Sequence, residues 1–121
     1  MTASKKWPAL KKRLARSKFR SQFGLSDDER SYVHDRGLEL VRNHACDFIR
    51  QRLAPANPRN DGKQTPMKGH PVFLAQHATG ACCRKCLTKW HGIKPGKELS
   101  ARQIEELVDI LMSWIHDQIK V

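Results

Sequence analysis

The sequence predicts a mainly α-helical, small single-domain fold with a long irregular Pro/Gly-rich loop and a Cys/His-rich metal-binding segment. Three observations predict it. Apolar residues recur at helical spacing behind two Ser-x-x-Glu/Gln starts, at Ser26–Glu29 and Ser100–Gln103. Residues 54–71 carry four prolines and two glycines. Three of the four cysteines, Cys82, Cys83 and Cys86, fall within five positions. At 121 residues the chain has the length of one ordinary domain, long enough to bury a core without help from a metal.

Residues 1–121 are expected to form that domain in five stretches. The first, 1–25, is a basic helical segment whose helix runs over 8–23. Pro8 suits an early helical position, Leu10, Leu14 and Phe19 supply the apolar side, and Gly24 is the stop. The second, 26–54, reads as one long helix. Ser26, Asp27, Asp28 and Glu29 give it a capping box with acids at the positive end of the dipole. Val33, Leu40, Val41, Ala45, Phe48 and Ile49 carry its apolar side to Leu53, Gly37 is a weak point, and Pro55 ends it.

The third stretch, 55–76, is expected as loop, with strand-like composition only at 72–75. The fourth, 77–93, holds the cysteine–histidine cluster on a short helix over 80–90, with Thr79 as its cap and Gly92 and Pro95 at its exit. The last, 100–120, is a helix whose apolar side is Ile104, Leu107, Val108, Leu111, Trp114 and Ile115.

Between Gly69 and Ile93 stand three cysteines, three histidines and no acidic residue. Thiolate and imidazole are the ligands zinc prefers, and Cys83-x-x-Cys86 has the knuckle spacing of structural zinc sites. His77 is expected as a third ligand, with His70, His91 or Cys82 as the fourth; the second cysteine pair of a complete zinc motif is missing. Small buried thiols packing a helix are the alternative. Thiol redox chemistry is another, since Arg84 and Lys85 would favour a thiolate, but the βαβ context of a thioredoxin-like CxxC is absent. An iron–sulfur cluster would have to recruit the remote Cys46. With no Asp or Glu between Asp61 and Glu98, the motif lacks the carboxylate of metal-assisted hydrolysis, and the HxE…PCxxC pattern of zinc deaminases is missing. No catalytic residue is assigned.

The net charge is +11 and unevenly placed. Residues 1–25 hold eight cations and no acid, whereas five of the twelve acids lie from Glu98 onward. Such asymmetry predicts a nucleic acid or other polyanion as partner, with Lys11, Lys12, Arg13, Arg16, Lys18, Arg20, Arg84, Lys85 and Lys89 as phosphate contacts. Trp90, flanked by Lys89 and His91, offers a face for a base. A solubilising surface is the plain alternative for the same charges. No apolar run approaches the ~18 residues of a membrane span, and the N-terminal residues lack the apolar core of a signal peptide. A cytoplasmic location without membrane association is therefore expected, where clustered cysteines stay reduced.

Four stretches carry a resemblance: RLARSKFRSQF (13–23), GKQTPMKGHPVF (62–73), QHATGACCRKCLTKWHGI (76–93) and LMSWI (111–115). Together the chain resembles the bacterial family called domain of unknown function 4186, most specifically in the QHAT…CCR.CL.KWH string. Gly80-Ala81 departs from the family's Ala-Thr at that slot. The resemblance implies a small cytoplasmic protein and brings no established activity. The sequence therefore leads to a zinc-organised, polyanion-binding helical domain. An enzyme with an open metal position or a low-pKa cysteine, and a protein-interaction module, stand as alternatives.

Overall fold

The computed structural model describes residues 4–120; the first three residues of the expected 1–25 segment lie outside it. Seven α-helices and one π-helical turn account for the regular structure, and no strand occurs among the described residues.

The last helix, Ala101–Ile119, is the spine. Both arms of its capping box form: Gln103 N–H donates to Ser100 Oγ at 3.1 Å and Ser100 N–H to Gln103 Oε1 at 2.9 Å. Its apolar face is fully buried at Val108, Leu111, Met112 and Ile115. We number the helices α1 (Trp7–Ala15), α2 (Lys18–Ser21), α3 (Asp27–Arg36), α4 (Leu38–Phe48), α5 (Pro71–Thr79), α6 (Arg84–His91) and α7, the spine. α5 and α4 pack most extensively on α7, and the main core lies between them, built on Val41, Ala45, Ile49, Leu53, Val72 and Ala75. A second, smaller core of Leu10, Leu14 and Ile110, joined by Trp7 and Trp90, seats α1 on the other flank of α7.

Four sequence expectations change. The 8–23 helix divides because Ser17 is extended, at φ −89° and ψ 118°, and its hydroxyl accepts from Arg20 N–H to start α2. The 26–54 helix divides at Gly37, whose φ of +86° and ψ of 149° leave helical space. A Cβ there would meet nothing within 4 Å, so the break is a matter of backbone conformation rather than a close neighbour. After α4 the chain makes a π-helical turn, Ile49–Leu53, before the irregular segment. Residues 71–76, expected as loop with a strand-like stretch, form α5 together with 77–79 of the expected cluster segment: Pro71 sits in its first turn and the His70 ring caps Val72 N–H at 3.0 Å. The helix expected over 80–90 starts later, at Arg84. Cys83 is its cap, and the Thr79 hydroxyl instead donates back to Ala75 O at 2.7 Å.

Gly80 ends α5 in the left-handed region, at φ +76°. A Cβ built on it would fall 2.6 Å from Trp90 Cγ, so the indole lies where any side chain would be. Gly80→Ala is expected to cost about 2–4 kcal/mol from backbone strain plus overpacking. Gly92→Ala, at φ +65° with nothing within 4 Å, should cost only about 1 kcal/mol. Urea midpoints for the two variants test the difference; equal losses would mean that Trp90 does not crowd Gly80.

Candidate metal centre

The cysteines sit where α5 hands over to α6. Gly80 turns the chain, and Ala81 N–H closes onto Gln76 O at 2.8 Å. Cys83, at φ −158° and ψ 167°, caps α6 by accepting from Cys86 N–H at 3.4 Å. The turn brings the Sγ atoms of Cys82, Cys83 and Cys86 within 4.8 Å of one another, with Cys82 and Cys83 buried and Cys86 half-buried. Zinc–sulfur bonds of about 2.3 Å in a tetrahedron place sulfurs about 3.8 Å apart, so contraction of about 1 Å or less would seat an ion. All four cysteines are free thiols. Burial pushes the Cys83 thiol above its ordinary value, so an ion has to displace that proton to bind the sulfur.

A cation faces these sulfurs. Arg20, from α2, donates to Cys86 Sγ at 3.1 Å, to Cys82 Sγ at 3.5 Å and to His77 O at 2.7 Å. Burial lowers its pKa, but hydrogen bonds to the two sulfurs and their charge outweigh that, and the net shift is upward. The loop is tied to the same place: Thr65 Oγ1 donates to Cys82 O at 2.8 Å, and Gln76 Nε2 to Ala81 O at 3.1 Å. Arg20 was expected among phosphate contacts, and neither Thr65 nor Gln76 was singled out. Arg20 and Thr65 reach the knuckle through tertiary contact, whereas Gln76 reaches it across five residues.

Of the six expected ligands, the structure brings together the three cysteines. His77 Nε2 lies 3.2 Å from Thr65 O and 3.1 Å from Pro66 O; carbonyls only accept, so that nitrogen carries the proton. By the same reasoning His91 Nε2 donates to Thr79 O at 2.8 Å. Burial lowers the pKa of both rings. Arg20 adds to the effect on His77, and Arg13 and Lys6 add to it on His91.

His70 is a third case. Its Nδ1 accepts from Val72 N–H, so Nε2 carries the proton and donates to His44 Nδ1 at 3.0 Å. The ring also packs against the Tyr32, Phe48 and Phe73 rings. Burial, with the neighbouring His44, lowers its pKa from 6.5 to about 4. The unfolded chain therefore takes up this proton as pH falls through about 6.5, while the folded chain does not until about 4. Stability should decline across that window and level off below it, by about 1–2 kcal/mol once solvent screening of a half-buried ring is allowed for. His70→Asn, which retains a capping side chain, should flatten this part of the profile; an unchanged slope in urea titrations would contradict the assignment.

The expected phosphate contacts divide in two. Lys11, Lys12, Arg13, Arg16, Lys18, Lys85 and Lys89 are exposed, although Lys11 also pairs with Asp117 at 2.9 Å. Arg20 and Arg84 are only 9% and 2% exposed. Arg84 is spent on backbone: it donates to Leu53 O, Ala54 O, Pro55 O, Lys94 O and Lys97 O at 2.6–3.4 Å. Neither buried guanidinium is placed to meet a phosphate.

One protein-family model matches residues 8–116, a span that takes in Arg20, the cysteine knuckle and all but the ends of α1 and α7. The chain belongs to that family, Domain of unknown function (DUF4186). No solved structure matches it. The DUF4186 match thus places the three thiols inside the shared domain, while the family description assigns them no task. No helix among the described residues is long and apolar enough to cross a membrane.

Proposed function

We propose that this DUF4186 chain is a zinc-binding helical domain in which Cys82, Cys83 and Cys86 hold the ion as thiolates and Arg20 neutralises the site. The observation that carries the reading is the convergence of three sulfurs within 4.8 Å beside one buried guanidinium. Three thiolates around a divalent ion leave one negative charge, and Arg20 supplies one positive charge at hydrogen-bond distance from two of the sulfurs. The fourth tetrahedral position falls to water or another small ligand. An open fourth position is the pattern of catalytic zinc, whereas structural sites are closed by a fourth protein ligand. What supports a structural ion here is the lack of a carboxylate among the clustered ligand atoms. The reading requires a reducing compartment such as the cytoplasm, where thiols persist.

Elemental analysis of protein purified under reducing conditions tests it. About one zinc per chain is expected, lost in Cys82→Ser, Cys83→Ser and Cys86→Ser and retained in His77→Ala and His91→Ala. Fresh, reduced protein that takes up no zinc would overturn the proposal.

A second reading is carried by the surface. Lys12 and Arg13 on α1, Arg16 at its C-cap and Lys18 on α2, with Lys85 and Lys89 on α6, are exposed cations. They support binding of a polyanion, and of nucleic acid in particular. Affinity would then fall steeply with salt, in proportion to the phosphates neutralised. Negligible binding to DNA and RNA at low salt would end this reading.

A further inference from the structure

Between α1, α6 and the first half of α7 runs a groove of about 680 Å³. Its floor is apolar, formed by the second core, with Leu10 and Ile110 5% and 3% exposed. Its rim carries Lys6, Arg13 and Lys89 against one acid, Glu106, which already pairs with Lys6 at 3.3 Å and with Arg102 at 3.8 Å. Trp90 stands in the wall, its indole backed by the bare Cα of Gly80. Arg13 lies 5.2 Å above the ring centroid and donates to Trp90 O at 3.2 Å, and Lys89 Nζ is 5.8 Å from the same ring.

Building on the polyanion reading above, we propose that this groove is a binding site for single-stranded nucleic acid. It takes an unpaired base at Trp90 and Arg13 and a flanking phosphate at Lys89. An indole and a guanidinium plane are the surfaces on which bases stack irrespective of sequence, and adjacent cations track the backbone. The aromatic is recessed between helices, so a base held in a duplex does not reach it without being unstacked. Arg13 is exposed and held by one carbonyl and the ring face, so it can follow an incoming base or phosphate. Gly80 has a direct part in the site: its missing Cβ lets the indole lie back and leaves room for the groove.

Fluorescence anisotropy with a labelled oligothymidylate, and with a duplex of equal length, tests the proposal across a salt series. The single strand should bind more tightly than the duplex. Trp90→Leu should weaken it by roughly 5- to 100-fold through lost stacking. Arg13→Gln and Lys89→Gln, both at exposed positions, should each lower the affinity and reduce the slope of log affinity against log salt by about 0.7. Lys63→Gln, an exposed cation outside the groove, should change neither. Binding that survives the three groove variants, or that favours the duplex, would overturn the groove while leaving the polyanion reading intact. No binding of either nucleic acid by the wild-type protein at low salt would overturn both.

Discussion

Replacing Arg84 by alanine is expected to lower folding stability by about 3–5 kcal/mol, a large share of what a domain of this size possesses. The side chain is 2% exposed and reaches two separate stretches of chain. It gathers the carbonyls of Leu53, Ala54 and Pro55 at the end of the π-helical turn, and those of Lys94 and Lys97 between α6 and α7. Truncation would take the donor from carbonyls that are buried at Leu53 and Ala54 and part-buried at Pro55, Lys94 and Lys97, and would leave a cavity the size of the lost side chain. Arg84→Lys should rescue little, because an ammonium cannot span carbonyls on both sides of a planar fork. Equilibrium unfolding in urea reads the loss as a shift in midpoint at constant slope. A cost below about 1 kcal/mol would mean that Arg84 behaves as an ordinary surface cation.

Removing zinc is expected to have a comparable effect. Free ion at a thousand times its dissociation constant would stabilise the folded chain by up to about 4 kcal/mol, reduced by any binding to the same three neighbouring thiols in the unfolded chain. The increment should disappear with a chelator and be absent from Cys86→Ser. That variant should melt at nearly the same temperature with and without zinc, because it lacks one of the three sulfur ligands. Thermal unfolding of loaded and chelated protein checks both statements. Equal melting temperatures for loaded and chelated wild-type protein would contradict a structural ion.

What the sequence made legible was local. Both capping boxes, at Ser26 and Ser100, could be read from residues three apart and form as read. The apolar face of α7 was visible because that helix is buried on one side, and periodicity reports one-sided burial. α5 escaped because it is buried at eight of its nine positions, which erases the period. The breaks at Ser17 and Gly37 depend on single backbone conformations inside otherwise helical stretches. At the candidate site the three cysteines were legible because they are neighbours in sequence. Arg20, from 66 positions before Cys86, was one cation among many until the fold placed it against the sulfurs. The same limit misdirected the reading of Arg84 and the histidines: charge and ligand type show in sequence, but the carbonyls that occupy them do not.

Zinc K-edge X-ray absorption on the reduced, loaded protein tests the central claim most directly, because it counts sulfur ligands. Three sulfurs at about 2.3 Å and one lighter atom are expected in a four-coordinate shell. A shell dominated by imidazole nitrogen, or one with a single sulfur, would contradict that claim.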